Sequence, residues 1–449
     1  METPICDFVR TYADREPLRF HMPGHKGFGP IERLDITEIT GADVLYSAGG
    51  IIQKSRENAA RLFGTKASFY STEGSTLCIR AMLFLLCRYA GELGRRPLLA
   101  ACRNAHRSFV TGCALLDIPV RWIYGGAGEN LLSCCPSPRE LEAQLDRLEE
   151  RPLALYVTSP DYLGQTADLP AIRAICRKRE MLLLVDNAHG AYLRFLPESR
   201  HPMDLGADLC CDSAHKTLPV LTGGAYLHIS HTAPPCFAQG AEDALGLFAS
   251  TSPSYLILES LDRANALLEE DFPRRLAAFL PTVEQSKERL QAAGFEVLSR
   301  EPMKLCLKTK ALGWEGSALA ARLEGKGIYS EFSDPDHLVF MLSPLQGEAA
   351  MERLTEALLS VERRSPIDRL PPPLPRPRQV MGLKEALFAP RESLAAEACR
   401  GRILAEPNVT CPPAVPVLVC GEEIDEAALA CFRYYGISRL QVLRDSHTT

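Results

Sequence analysis

The chain has 449 residues, 46% hydrophobic and 24% charged, with a formal net charge of −6. This length allows two or three domains, and the mild acidity with scattered basic residues gives no reason to expect nucleic acid or a membrane surface as a partner. Acidic residues come early in the sequence, and the longest apolar run, 81–87, is too short to cross a bilayer. We therefore expect a cytoplasmic protein.

The sixteen cysteines form no C-x-x-C pair and show no spacing with histidine that is typical of a zinc site. In a protein without a secretion signal, such cysteines are expected to be reduced thiols that act mainly as small core residues. The sequence thus predicts neither a disulfide framework nor a metal site.

Residues 1–55 are rich in glycine and proline and predict an irregular N-terminal arm. From 56 to 275, helical patterns alternate with short apolar strands. The predicted helices are 75–90, 138–149 and 168–179, and the predicted strands are 98–102, 153–158 and 181–186. This alternation is typical of an α/β domain whose mostly parallel sheet is covered on both faces.

Residues 276–364 predict a smaller α+β domain, with helices at 279–293 and 316–325 and a strand at 337–342. The proline-rich segment 365–378 predicts a linker. The remaining residues, 379–449, predict a small C-terminal domain with a strand at 416–420.

Two segments together indicate a cofactor site. An apolar strand ends in Asp186, and Lys216 follows 30 residues later in the segment 212–217. Ligands of open α/β sheets bind at the carboxyl ends of strands. There an aspartate can pair with the protonated pyridine nitrogen of pyridoxal phosphate (PLP), while a lysine forms a Schiff base with its aldehyde. A lone lysine is usually a surface residue and a lone aspartate a strand-end cap, but the pair points to PLP.

Two further segments fit the same cofactor. Gly74, Ser75 and Thr76 open the predicted helix 75–90, where backbone N–H groups and the helix dipole favour an anion such as the cofactor phosphate. Serine and threonine are also ordinary helix caps. His106 follows the strand 98–102 and could stack on the pyridine ring, although a single histidine is more often structural.

In this order and spacing, the segments resemble the Orn/Lys/Arg decarboxylase family of fold-type I PLP enzymes, in its short form without an N-terminal receiver-like domain. The resemblance covers nearly the whole chain. The segments that carry it are RFHMPGHKG (19–27), DITEITGAD (35–43), EGSTLCIRAM (73–82), RNAHRS (103–108), TSPDYLGQTADL (158–169), VDNAHGA (185–191), SAHKTLPVLTGG (213–224), STSPSY (250–255) and VPVLVCGE (415–422).

The resemblance implies a fold like that of aspartate aminotransferase and assigns a role to each matching residue. Lys216 would carry the cofactor with His215 beside it, Asp186 would bind the ring nitrogen, and His106 would stack on the ring. The other implied cofactor contacts are Gly74, Ser75, Thr76, Ala188, His189 and Ser213. Thr251 and Ser252 would reach the phosphate of a partner subunit, which implies a homodimer or a higher homo-oligomer with sites at the dimer interface. Glu331, with Asp334 close by, would hold the distal cation of the substrate.

Four positions depart from the family pattern. Glu73 stands where asparagine is frequent, Asn187 where glutamate usually follows the aspartate, and Ala214 where threonine is usual. These three are expected to tune the site without removing its chemistry. Gly49 occupies a position that is often acidic, and this bears on how a cationic substrate is held.

The resemblance implies decarboxylation of arginine, lysine or ornithine to the corresponding amine and CO2, in polyamine biosynthesis. The sequence does not choose among the three amino acids. The same fold and cofactor serve aminotransferases and lyases, so fold alone does not give the reaction, and a fold-type I PLP aminotransferase or lyase that acts on another amino acid is the alternative. A catalytically silent regulatory homologue is a further alternative, against which the intact Lys216, Asp186 and His106 argue.

Overall fold

The computed structural model describes residues 1–126, 132–133, 135–411 and 415–444. Its strands in chain order are β1 (Ala67–Ser71), β2 (Leu99–Cys102), β3 (Val120–Ile123), β4 (Ala154–Thr158), β5 (Leu182–Asp186), β6 (Leu209–Asp212), β7 (Ala225–Ile229), β8 (Glu296–Val297), β9 (Lys304–Lys308), β10 (Phe332–Ser333), β11 (His337–Met341), β12 (Arg391–Ala395), β13 (Asn408–Cys411), β14 (Val415–Val419) and β15 (Arg439–Leu443).

Between 67 and 186 the α-helices alternate with the strands, as the sequence predicts for an α/β domain. The α-helices in chain order are α1 (Pro4–Asp14), α2 (Ile51–Phe63), α3 (Gly74–Glu92), α4 (Arg107–Leu116), α5 (Pro138–Leu145), α6 (Leu169–Lys178), α7 (Ala214–Thr217), α8 (Pro235–Gly246), α9 (Tyr255–Glu270), α10 (Phe272–Ala292), α11 (Gly316–Glu324), α12 (Glu348–Leu359), α13 (Leu383–Phe388) and α14 (Glu426–Tyr435). Within the described ranges, no helix is long and apolar enough to cross a membrane.

The chain divides into two compact units, each built from two stretches of sequence. The first comprises residues 1–96 and 169–277, and the second comprises 97–168 and 278–449. Strands β1, β7, β6 and β5 are neighbours in that order in the first unit. β5 and β6 run parallel, whereas β7 is antiparallel to both β6 and β1. The side chains of β6 and β7 are all buried, as expected for strands covered on both faces.

In the second unit, β2 pairs in parallel with both β3 and β4. The strands β10, β11, β9 and β8 form a separate antiparallel sheet, and two antiparallel pairs, β12–β15 and β13–β14, lie in the C-terminal segment. Buried residues of the C-terminal segment, such as Val417 and Phe432, share one hydrophobic cluster with Cys306 and Val339 of the antiparallel sheet. The proline-rich residues 365–378 contain neither helix nor strand.

The expectation that residues 1–55 are irregular is wrong at both ends. Pro4 begins the helix α1, which buries Ile5, Val9 and Ala13 at helical spacing, and α2 begins at Ile51. Proline is well tolerated in a first turn, and the buried apolar stripe stabilises the helix. Within this segment, only 15–50 lacks α-helices and extended strands.

Two predicted helices differ from the observed ones by four or more residues at one end. The helix expected at 138–149 ends at Leu145. The helix expected at 279–293 begins at Phe272 and continues through Pro281. Proline inside a helix costs about 3 kcal/mol, but Phe272, Leu276 and Phe279 are buried at helical spacing on this segment, and their burial offsets that cost.

Candidate active site

Asp186 and Lys216 lie at and just beyond the carboxyl ends of two neighbouring parallel strands. Asp186 is the last residue of β5, and Lys216 lies in the short helix α7 directly after β6. Because β5 and β6 run parallel, their carboxyl ends lie at the same edge of the sheet. The topology therefore places the two residues of the predicted cofactor pair at the edge where ligands of α/β sheets bind.

The Asp186 side chain is 2% exposed. Its Oδ1 accepts a hydrogen bond from the backbone N–H of Ala188 at 3.2 Å and lies 3.6 Å from the thiol of Cys211. A buried carboxylate held in this way is a strong partner for a protonated ring nitrogen, because the low dielectric of the interior strengthens the interaction.

Lys216 is half-buried, and its Nζ lies 3.1 Å from Nε2 of the buried His189. His215, its neighbour, has Nδ1 3.0 Å from the carbonyl oxygen of Gly224. A carbonyl only accepts, so Nδ1 of His215 carries a hydrogen, and in the neutral ring Nε2 is the acceptor nitrogen. Both histidines therefore have a defined orientation next to the lysine.

The N-terminus of α3 forms the expected anion site. Gly74 begins this helix with a φ of +70°, and its N–H donates to the carbonyl of Gly223 at 2.7 Å. Ser213 donates to the hydroxyl of Ser75 at 2.8 Å, so the segment after β6 and the start of α3 are hydrogen-bonded to each other. Ser75 and Thr76 are half-buried in the first turn, where backbone N–H groups lack intrahelical acceptors.

The loop that carries Thr251 and Ser252 lies beside the same helix. The backbone N–H of Ser250 donates to Glu73 Oε1 at 2.7 Å, and Thr251 and Ser252 are exposed. Glu73, one of the departures from the family pattern, thus has a contact that the sequence did not predict. It joins the residue before the phosphate-site helix to the loop that was expected to serve a partner subunit.

His106, Glu331 and Asp334 belong to the second unit. His106 caps α4, with its Nδ1 2.6 Å from the hydroxyl of Ser108 and 3.2 Å from its backbone nitrogen. Glu331 is exposed and accepts a hydrogen bond from Tyr162 at 3.2 Å.

Glu331 also lines a cavity of about 380 Å³. Other residues that line this cavity are Tyr329, Ser330, Met341, Gln346 and Arg353. Within the second unit, the carboxylate of Glu331 is therefore available to a small cationic group.

Asp334 is 3% exposed, and its carboxylate is engaged locally. Its Oδ1 accepts from the backbone N–H groups of Asp336 and His337 at 2.7 and 2.6 Å, and lies 3.2 Å from the His337 ring. These contacts close the turn between β10 and β11. Asp334 consequently has a structural function within its own unit that the sequence did not reveal.

The residues of the first unit fit pyridoxal phosphate. Asp186 would meet the ring nitrogen, Lys216 the aldehyde carbon, and Ser75, Thr76 and Ser213 the phosphate. When bound, the cofactor would supply an electron sink for the carbanion that is left when a bond to Cα breaks. This fold and this site define a fold-type I PLP-dependent enzyme.

Comparison with known proteins identifies the family within this class of enzymes. Residues 3–299 match the family described as Orn/Lys/Arg decarboxylase, major domain. An arginine decarboxylase of Bacillus subtilis is 29% identical over 95% of this chain and 92% of its own length, and the uncharacterised B. subtilis protein YaaO is 29% identical over 96% and 93%. The lysine decarboxylase of Francisella novicida has the same fold, with a TM-score of 0.80 at 15% identity over 98% of this chain and 81% of that one.

The chain belongs to the Orn/Lys/Arg decarboxylase family. This confirms the expected fold class and the expectation of a pyridoxal-phosphate-dependent amino-acid decarboxylase.

Proposed function

We propose that this protein decarboxylates a basic L-amino acid, with arginine favoured over lysine and ornithine, in polyamine biosynthesis in the cytoplasm. The observation that carries the proposal is the position of buried Asp186 and half-buried Lys216 at the same edge of the sheet, where two adjacent parallel strands end. The similarity to arginine decarboxylases over nearly the whole chain supports arginine. The fourteen cysteines whose side chains are described are all thiols, which suits a reducing compartment.

In this proposal, Lys216 holds the cofactor, Asp186 keeps the ring nitrogen protonated, and His106 stacks on the ring. Gly74, Ser75, Thr76 and Ser213 bind the phosphate. Ala188 and His189 orient Asp186 and Lys216, respectively, through the contacts described above.

His215 and Lys216 are the candidates to return a proton to Cα after CO2 leaves. The structure adds a condition for His215. Its Nδ1 hydrogen is directed at the Gly224 carbonyl, so only the doubly protonated ring could give a proton from Nε2. Lys216 needs no such change, because an ammonium group carries three hydrogens.

For the substrate, Glu331 is the proposed anchor of the distal cation, since its carboxylate is exposed to a cavity and has one described hydrogen-bond donor, Tyr162. Asp334 would add negative charge near Glu331 rather than touch the substrate, because its carboxylate holds the adjoining turn.

The proposal includes a homodimer in which Thr251 and Ser252 complete the phosphate site of the neighbouring subunit. Their exposure supports this, as does the loop contact between Ser250 and Glu73. Phe20 and Phe28 of the N-terminal segment are 92% and 98% exposed, and such large apolar side chains are commonly covered in an assembly.

One assay tests the proposed reaction. Purified protein is given PLP and, separately, arginine, lysine and ornithine, and the amine product is identified by mass. Agmatine from arginine as the fastest product supports the proposal. A keto acid product, or no amine from any of the three, contradicts it.

A further inference from the structure

Asn187 and Asp212 form a buried pair directly behind the proposed cofactor site. Asn187 follows Asp186, and Asp212 is the last residue of β6, four residues before Lys216. The amide of Asn187 donates to Oδ1 of Asp212 at 2.7 Å, and both side chains are 0% exposed. The backbone N–H of Asn187 also donates to the Cys211 carbonyl at 3.0 Å. Two hydrogen bonds thus join the strand ends that carry Asp186 and Lys216.

The pair acts from the opposite face of the sheet. Asp186 is the register partner of Cys211, and their side chains meet at 3.6 Å. Successive side chains of a strand point to opposite faces, so Asn187 and Asp212 project away from Asp186. They can therefore influence the site only through the backbone of the two strands.

Both carboxylate oxygens of Asp212 have hydrogen-bond partners. Its Oδ2 lies 2.9 Å from Nε2 of His201 and 3.3 Å from Nε2 of His228. Burial alone would raise the pKa of Asp212, but the contacts with His201 and His228 lower it below its ordinary value, so the carboxylate is ionised at neutral pH. A side chain without an acceptor at position 212 would leave several buried donors unpaired, which costs more than a single surface hydrogen bond.

The side chains around Asp212 form a hydrogen-bonded network and not a metal site. His201, Cys210 and Asp212 lie close enough to hold a metal ion. However, the backbone N–H of Met203 donates to Nδ1 of His201 at 3.3 Å, so the hydrogen of the neutral ring is on Nε2 and is directed at Asp212. A ring nitrogen that carries a hydrogen cannot ligate a metal.

We propose that Asn187 and Asp212 are positioning residues whose buried hydrogen bond fixes Asp186 and Lys216 relative to each other. The inference rests on the roles proposed for those two residues. It also accounts for an amide rather than a carboxylate at position 187, because two carboxylates in contact in a buried site could not both remain ionised.

The test compares two single variants with their combination. Asn187→Asp brings two carboxyl groups together, and Asp212→Asn brings two amides together. The double variant swaps the groups, so that the amide introduced at position 212 donates to the carboxylate introduced at position 187, while the amide oxygen accepts from the two histidines. Each single variant should raise the dissociation constant for PLP about tenfold, which corresponds to about 1.4 kcal/mol. The double variant should return most of the way to the parent value.

Asp208→Asn is the matched control at the other end of the same strands. Asp208 lies just before β6, is 1% exposed, accepts from the backbone N–H of Leu183 at 2.8 Å, and binds Arg173 at 2.5 Å. This control should lower the melting temperature and leave the PLP dissociation constant unchanged.

Two measurements separate positioning from general stability. The PLP dissociation constant is measured by equilibrium dialysis, and the absorbance of the bound cofactor is titrated with pH, where the single variants should shift the midpoint by about one unit. Single variants that lower only the melting temperature, as Asp208→Asn should, would overturn the inference. So would a double variant that binds PLP no better than the single ones. If the parent itself binds no PLP, the proposed function fails instead.

Discussion

The amine nitrogen of Lys216 lies 3.1 Å from Nε2 of His189, three residues beyond Asp186. An ammonium group only donates, so while Lys216 is protonated Nε2 of His189 is the acceptor and its ring hydrogen is on Nδ1. The segment that supplies the aspartate therefore also orients the lysine. This relationship explains how two residues 30 positions apart in sequence become one site.

Lys216 is expected to be the residue that binds the cofactor covalently. Borohydride treatment of the PLP-loaded protein should bleach its visible absorbance band and leave the label on the peptide that contains Lys216. Lys216→Ala should abolish turnover and leave the melting temperature of the apo protein nearly unchanged, because this half-buried side chain contributes little to the core. A label on Lys26 or Lys54 would refute the assignment.

Asp186→Asn should lower kcat by roughly 100-fold or more. The variant keeps the shape of the side chain but loses the charge that holds the ring nitrogen protonated, and each 1.4 kcal/mol of lost transition-state stabilisation is about tenfold in rate. Affinity for PLP should fall less than kcat, as measured by steady-state kinetics and dialysis. Near-normal turnover would mean that Asp186 only caps its strand.

Glu331→Gln should raise KM for the basic substrate steeply, because it removes the proposed partner of the distal cation and preserves the shape. Asp334→Asn is the comparison: it weakens the turn at His337 and should lower the melting temperature more than it changes KM. Kinetics with arginine, lysine and ornithine measure both effects. If Glu331→Gln treats the three amino acids as the parent does, Glu331 is not the anchor, and the segment around Gly49 is the next place to look.

Glu73→Gln should impair activity through the 250–252 loop. The charged acceptor of the Ser250 N–H becomes a neutral one, which weakens a hydrogen bond at the proposed interface. Activity and PLP affinity should fall together when the protein is diluted. In the variant this loss should begin at a higher protein concentration than in the parent. Light scattering measures the molecular mass of the assembly at each concentration. A fully active monomer would contradict the shared site.

His228→Gln should reduce the acid sensitivity of the fold. Burial lowers the pKa of His228, with Asp212 opposing the shift. A histidine whose folded-state pKa is lowered contributes stability above its unfolded pKa of about 6.5, and that stability is lost as pH falls below this value.

The melting temperature of the parent should therefore fall more between about pH 7 and 5 than that of His228→Gln. The exposed His231→Gln provides the control and should behave like the parent. An identical pH dependence in all three proteins would exclude His228 as the source.

The sequence predicts the α/β fold and the cofactor pair because both depend on local patterns. The apolar run that ends in Asp186 and the small-residue segment around Lys216 are each visible in a few consecutive residues. The early helix α1 was not predicted, because the irregular structure indicated by the glycines and prolines of 15–50 was also assumed for the residues before them. Ile5 and Val9 nevertheless show helical spacing.

Contacts between distant side chains could not be predicted in the same way. Glu73 and Asn187 are visible in the sequence only as departures from a pattern. Their roles depend on Ser250 and Asp212, which are 177 and 25 residues away. A hydrogen bond over such a separation has no sequence signal of its own, and its partner becomes known only when the strands and loops are placed in space.

The second unit contains a buried ion pair with a consequence for how the chain folds. Arg103, next to β2, donates to both carboxylate oxygens of Glu422 at 2.7 Å, and the two side chains are 0% and 1% exposed. The partners are 319 positions apart. During synthesis, Arg103 leaves the ribosome long before Glu422 has been added to the chain. Burial of a guanidinium without its carboxylate partner carries a large desolvation cost. The first unit can close once residue 277 has emerged, whereas the second must wait for residues beyond 422.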